Sequence, residues 1–451
     1  MIVDGEHYPP VIQDALDGLL RRGYGVDAAL LAGGTEKLSA EGTLELSGVS
    51  VTSGGDAPER ALGTLLDECR PEGVIDLSDE PVVDARRRLR LAAVALAHGV
   101  PYEGADFRFT PPDRPRRATK PTVAVVGTGK RTGKTALAGA LARTARSNGR
   151  SPVIVAMGRG GPPEPEVIAG DRAELGPGDL LELVAAGKHA ASDYVEDALL
   201  ARVTTVGCRR CGGGLAGAVG VSNVSRGVDV ANRLAGDLMV LEGSGSALPP
   251  VYSDTTVLVV PATVDPEYLC GYFGPYRLLL ADLVVVTMAE EPFGSASRVS
   301  SLIASIRDVT ASVQAPGRPE VNLVRTVFRP APTRSLSGAS VCVATTALPD
   351  AGGLIARYLE DREGCRVVGM THALSNRDRL REELDHIMKE ANVLACEIKA
   401  AGVDVATHKA MEAGLEVVYM DNEPIGVNGD DPLGALTEIA DLATQRFEAS
   451  S

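Results

Sequence analysis

The chain has 451 residues, 44% of them hydrophobic but only 4% aromatic, with no Trp and a net charge of −15. Its length predicts about two to four domains, and the acidic balance excludes a basic nucleic-acid face and long-range attraction to an anionic membrane. Apolar runs such as 278–286 carry a charge, Asp282, and are too short to cross a bilayer.

The seven cysteines are scattered and odd in number, which fits reduced thiols in a cytoplasm. The start, Met1-Ile2-Val3-Asp4, lacks a basic segment followed by an apolar one, so no signal peptide is expected. A core of Val, Leu, Ile and Ala suits parallel strands covered on both faces by helices.

Residues 1–115 read as an N-terminal α/β domain, with strands at 26–31 and 73–76 and helices at 10–21, 58–69 and 84–98. The turn from Asp4 to Pro10 packs ionisable groups ahead of a helix, and Glu6 and His7 are candidates for substrate binding. The segment Ser78-Asp79-Glu80-Pro81 is a similar candidate. Both equally serve as ordinary helix starts. The Pro-rich stretch 110–117 marks the end of the region.

Residues 116–330 hold the strongest strands, at 122–126, 152–156, 238–241, 256–260 and 283–287. Each is followed by a loop marked by Gly or Pro, the pattern of a parallel sheet with functional loops at strand carboxyl ends. A second boundary is expected near Arg329-Pro330-Ala331-Pro332. Residues 331–451 repeat the alternation, with strands at 340–345, 393–396 and 415–420 and helices at 377–390 and 432–447.

The first of the strong strands runs into Gly127-Thr128-Gly129-Lys130-Arg131-Thr132-Gly133-Lys134-Thr135, and a helical stretch follows. Strand, glycine loop and helix together form the context of a phosphate cradle. Gly127, Gly129, Thr132 and Gly133 let backbone N–H groups face phosphate oxygens, and the helix start adds partial positive charge. Lys134 would reach the β- and γ-phosphates of ATP, and the Thr135 hydroxyl would hold Mg²⁺. Thr128 stands where the usual spacing has its first Gly, so the loop is a variant. Lys130 and Arg131 add two cations, one of which would neutralise charge in the transition state, with simple solvation the alternative for the other.

The carboxylate completing the site is expected at the end of a later strand, and Leu238-Met239-Val240-Leu241-Glu242-Gly243 supplies it. Glu242 is therefore the second metal-binding candidate, with strand-end capping the alternative. Arg159, between glycines after the strand at 152–156, is placed for a phosphate group. Cys208-Arg209-Arg210-Cys211 followed by three glycines puts paired guanidiniums beside a flexible backbone, and Arg209 and Arg210 are further substrate-binding candidates. Its two cysteines lack a second pair for zinc, so ordinary thiols are the reading. Lys399, just past an apolar strand, reads as a solvated partner of Glu397, with phosphate binding the alternative.

Asp4–Pro10, the loop 127–135, the segment 207–214 and Glu242-Gly243-Ser244-Gly245 together resemble the cyclic 2,3-diphosphoglycerate synthetases, and the likeness runs the length of the chain. The resemblance implies an ATP-dependent ligase that closes 2,3-diphosphoglycerate into its cyclic diphosphate with release of ADP and phosphate. It also implies Mg²⁺, a cytoplasmic setting, a homodimer, and a small phosphorylated metabolite as partner. Two competing readings are a ligase of dethiobiotin-synthetase type and a nucleotide-switched metallochaperone. The second would want a His-rich metal site, and the chain's six His are dispersed.

Overall fold

Each of the five apolar bursts expected as core strands forms one in the computed structural model, which describes residues 1–38, 42–172, 175–313 and 321–450. The chain divides into two compact units. One comprises Met1–Pro112, Val264–Ala281 and Ser297–Asn322, and the other Asp113–Thr263, Asp282–Ala296 and Leu323–Ser451.

In the first unit, β1 (Ile2–Val3), β2 (Ala28–Leu31) and β3 (Ser50–Ser53) form a parallel sheet. A second small sheet holds β4 (Val74–Ile75), β5 (Tyr102–Glu103) and β6 (Arg108–Phe109). The helices Pro9–Arg21, Pro58–Cys69 and Ala85–Ala97 fall within a residue of the expected spans. The Asp84 carboxylate caps the last of them by accepting from Arg87 N at 2.8 Å. Val3, Ile12, Leu16, Ala29 and Leu31 make the unit's core, which is the buried side of that alternation.

The second unit is built on one large sheet. Its strands are β7 (Thr122–Gly127), β8 (Pro152–Gly158), β9 (Glu166–Ala169), β10 (Thr204–Cys211), β11 (Val221–Ser222), β12 (Leu238–Glu242) and β13 (Thr255–Pro261). After these come β14 (Leu283–Thr287), β15 (Asn322–Pro332), β16 (Ser340–Ala344), β17 (Arg366–Thr371), β18 (Val393–Glu397) and β19 (Glu416–Gly426). The order is β11-β10-β8-β12-β7-β13-β14-β15-β19-β18-β16-β17, with β9 beside β10. Every residue of β7, β8, β12 and β14 is buried. Each such Val or Leu contributes about 1.5–3 kcal/mol over an exposed one, so an apolar run without alternation fixes a central strand.

The expected boundary at Arg329–Pro332 lies inside β15, not in a linker. Pro330 and Pro332 pair with Asn422 and Met420 of β19. The two prolines are two positions apart, so both missing N–H donors fall on the same edge of the strand, and the other edge keeps its ladder. One hydrophobic core consequently runs from Val123 to Ala443 across the expected boundary.

The pairing also orients the site. Strands β7, β8, β12, β13 and β14 are mutually parallel, as are β16, β17, β18 and β19, while β15 and β19 are antiparallel. The carboxyl ends of β16 and β18 thereby reach the same cavity as those of β7 and β12.

Candidate active site

The second unit alone encloses a cavity of about 910 Å³, floored by the loop after β7. The helix Lys134–Ser147 starts inside that loop. Thr287 Oγ1 donates to Thr132 O at 3.0 Å and ties the loop to β14. The Phe328 ring lies directly on Gly133, where a Cβ would stand 2.3 Å from the ring, so this contact requires glycine.

Lys134 bends back along the loop, its Nζ donating to Gly129 O at 2.6 Å and Thr132 Oγ1 at 3.2 Å. Burial lowers the ammonium pKa to about 8, against the opposing charges of Glu242 and Asp193. An ammonium so weakly compensated is prepared for a phosphate.

Thr135 Oγ1 donates to Glu242 Oε1 at 2.6 Å. Glu242 is 2% exposed, and its second oxygen is buried with no hydrogen-bond partner. Burial, followed by the charge of Asp193, pushes this carboxyl up to about 7. A hydroxyl and an orphaned carboxylate oxygen beside a phosphate cradle fit a divalent cation. Among the described residues no three His, Cys, Asp or Glu are arranged to hold a metal, so nucleotide phosphate would have to complete the shell.

The helix Asp193–Leu200 brings three more acids to this wall. Asp193, Glu196 and Asp197 share one face, being three and four positions apart. Asp197 is 2% exposed, and among the described residues no donor reaches either of its carboxylate oxygens, which lie against the Glu242 carboxyl. Burial, then the neighbouring Glu242, raises it well above the usual carboxylate range.

Cations gather next to these acids. Arg159 follows β8 and Arg210 lies in β10, and their guanidiniums meet over Gly245. A Cβ on Gly245 would stand 2.6 Å from Arg159 Nη2 and 3.2 Å from Arg210 Nη2. Arg210 donates to Ser244 O at 2.7 Å and Gly212 O at 2.9 Å. Burial, then the charge of Arg159, lowers its pKa. Two guanidiniums side by side, without an ion-pair partner among the described residues, call for an anion. Gly245 also has φ +62, so Gly245→Ala both strains the backbone and pushes the pair apart. We expect it to raise KM for an anionic substrate about tenfold, the equivalent of about 1.4 kcal/mol, with KM for ATP within twofold. Steady-state kinetics checks both constants.

The carboxyl end of β18 forms the facing wall. Glu397 accepts from Thr345 Oγ1 (2.9 Å), Thr346 N (2.8 Å) and Thr346 Oγ1 (2.7 Å). Burial opposes ionisation of Glu397, but Lys399 and these donors outweigh it and hold the pKa below its ordinary value. Lys399 pairs at 3.1 Å with Glu196 of the opposite wall, and not with Glu397 as the sequence had suggested.

The structure thus brings together Thr132, Gly133, Lys134, Thr135, Lys130, Arg131, Arg159 and Glu242, all lining the cavity, with Arg210 at its edge. Arg131 donates to Ser375 Oγ across it. Arg209 is exposed and does not line the cavity, because successive strand residues point to opposite faces. The same alternation separates Cys208, buried, from Cys211, exposed. Burial pushes the Cys208 thiol up to about 12, as expected of an inert thiol.

Glu6 and His7 belong to the first unit. There Asp4 accepts from His7 Nδ1 and Glu6 N, both at 2.9 Å, and from Asp79 N at 2.6 Å, which knits the two candidate turns together.

The acids of the helix Asp193–Leu200 escaped sequence reading. Their signal was three acids on the same face of a helix whose other five residues are apolar, without a basic residue inside it.

Family descriptions of the cyclic 2,3-diphosphoglycerate synthetases match the chain in three parts. The N-terminal domain matches residues 1–110, the P-loop domain 122–316 and the C-terminal domain 332–423. The proteins so named from Rubrobacter xylanophilus and Methanothermobacter thermautotrophicus are 47% and 44% identical to it. The first alignment covers 98% of this chain and 97% of the relative, and the second 99% and 96%. The protein of that name from Methanothermus fervidus is 42% identical, over 99% of this chain and 97% of its own. A nucleotide-type cradle and a likeness over nearly the full length of each relative make this chain an ATP-dependent, ligase-type enzyme that belongs to the cyclic 2,3-diphosphoglycerate synthetase family.

Proposed function

We propose that the enzyme uses MgATP to close 2,3-diphosphoglycerate into its cyclic diphosphate, releasing ADP and phosphate. The observation that carries this reading is the pair Arg159 and Arg210, meeting over Gly245 on the cavity that Lys134 also lines, with no carboxylate partner among the described residues. A substrate with two phosphates and a carboxylate needs several cations at once, and this wall supplies them.

The cavity also suits adenosine. Met288, Phe328, Leu348, Leu354 and Ile355 give it an apolar lining, so the base would lie there with the triphosphate along the loop. Lys134 and the backbone of the loop hold the β- and γ-phosphates. Thr135 and Glu242 would hold Mg²⁺, which when bound supplies charge neutralisation on those phosphates.

The γ-phosphoryl group leaves ADP and forms an anhydride with an oxygen of one substrate phosphate. An oxygen of the second substrate phosphate then attacks the phosphorus of the first. Inorganic phosphate leaves and the ring closes. Arg159 and Arg210 hold the two phosphates close against their mutual repulsion, which is both proximity and electrostatic stabilisation. A homodimer and a cytoplasmic setting belong to this reading through the family alone.

The test is ADP release from purified protein with MgATP, with and without 2,3-diphosphoglycerate, followed by phosphorus NMR. One ADP and one phosphate formed per new cyclic anhydride supports the reading. Turnover indifferent to this substrate sinks it and favours another phosphorylated acid or a carboxylate-activating ligase.

A further inference from the structure

We propose that Lys399 is a second phosphate-binding lysine, which the C-terminal half of the sheet delivers to a phosphate of the diphosphorylated substrate. The proposal rests on the cyclisation reading for the substrate's identity, but on the geometry of the cavity for the binding itself.

Lys399 stands two residues past the end of β18 and lines the cavity beneath which the phosphate cradle lies. Its side chain is 31% exposed, whereas its ion-pair partner Glu196 is 6% exposed. The lysine therefore shows a face to the cavity and the carboxylate does not. Ala400, the next residue, has φ 51. A non-glycine residue in that region is uncommon, and such positions cluster at ligand sites.

Burial lowers Lys399, but Glu196 and Glu397 outweigh it, and the ammonium is held protonated. Glu397 takes hydrogen bonds from the hydroxyl and backbone donors of Thr345 and Thr346 and feels the ammonium through its charge. An ammonium carries three donors, and Glu196 is its ion-pair partner among the described residues.

The surroundings identify the ligand. Asp193, on the same helix as Glu196, interacts electrostatically with Lys134, Lys399, His189 and Arg159. Three cationic side chains and His189, from separate loops, thus converge on one carboxylate wall. A purely structural ion pair accounts poorly for Lys399, because taking two charges out of water costs about as much as a buried pair returns. With a phosphate present, the ammonium would share its donors between Glu196 and the ligand, as phosphate-binding lysines do.

The experiment titrates inorganic pyrophosphate into ADP-saturated protein by calorimetry, so that the loop after β7 is filled and the probe reports the remaining cations. Lys399→Met is expected to weaken pyrophosphate binding at least tenfold, and Lys399→Arg to restore most of it. Glu196→Gln frees the ammonium and is expected to tighten binding several-fold, a gain that vanishes in the Glu196→Gln/Lys399→Met double variant. In kinetics, Lys399→Met should raise KM for 2,3-diphosphoglycerate at least tenfold while KM for ATP stays within twofold.

A folded Lys399→Met protein, judged by its melting curve, with both constants within twofold of wild type overturns the proposal. So does a Glu196→Gln gain that persists in the double variant. If Lys399→Met does not fold, Lys399→Gln takes its place, alone and in the double variant, under the same criteria. Wild-type turnover without response to 2,3-diphosphoglycerate, but with Lys399-dependent pyrophosphate binding, removes the cyclisation reading and leaves the lysine's role standing.

Discussion

Lys134→Ala is expected to lower kcat/KM for ATP by about 10²–10³-fold, the usual effect of deleting one preorganised donor to a developing charge. The ammonium is buried and held down at about 8 in the ligand-free protein. A bound triphosphate would supply the negative charge that restores it, so the lysine interacts more strongly with ligand than with its own loop. Its present partners, Gly129 O and Thr132 Oγ1, belong to that loop, so the fold should survive the substitution. Melting curves and ADP release by the purified variant check the two halves. A variant that retains turnover within tenfold of wild type would remove Lys134 from the chemistry.

Glu242→Gln is expected to move activity and stability in opposite directions. Turnover should fall at least about 100-fold, since loss of a ligand costs no less than loss of the groups that orient it. The metal-free protein should nevertheless melt higher. Glu242 Oε2 and both oxygens of Asp197 are buried without donors, and the introduced amide can donate to Asp197 while its oxygen still accepts from Thr135. Relief of such groups is worth about 1–3 kcal/mol, a rise on the order of 2–4 °C per kcal/mol for a unit this large.

The pH dependence follows from the pKa. Glu242 rises from its ordinary 4.5 to about 7 on folding. Wild type therefore loses stability between those values as the unfolded chain ionises first. The advantage of the variant should grow across that interval and level off above it. A melting-temperature difference in chelator, variant minus wild type, that is negative or fails to grow with pH across that interval would contradict this account of the buried acids. The trade is familiar where a site keeps a destabilised group for function.

The individual elements were legible because each obeys a local rule. An unbroken β-branched run such as that of β7 or β14 can only be buried on both faces, and the loop between β7 and its helix carries its function in its spacing. Thr135 and Glu242 were paired from sequence for the same reason. A hydroxyl opening a helix and an acid ending a neighbouring parallel strand must come close once β7 and β12 lie side by side.

Other expectations failed where neighbours decide. Arg209 and Arg210 look equivalent in sequence, but the alternation of β10 turns only Arg210 toward Gly245. The domain boundary read near prolines 330 and 332 does not interrupt the sheet, since both sit in β15, where β19 supplies a ladder that tolerates their missing donors. Lys399 seemed tied to Glu397 two residues away, but in a sheet-end turn the nearest carboxylate came from a helix some 200 residues earlier, at Glu196.

By itself the sequence determined the α/β class, the phosphate cradle and the family, all of which rest on periodicity and contiguous motifs. Only the tertiary structure decided which charges share the cavity. Burial, strand-face parity and the antiparallel pairing of β15 with β19 set distances between residues hundreds of positions apart, and no local pattern carries those distances.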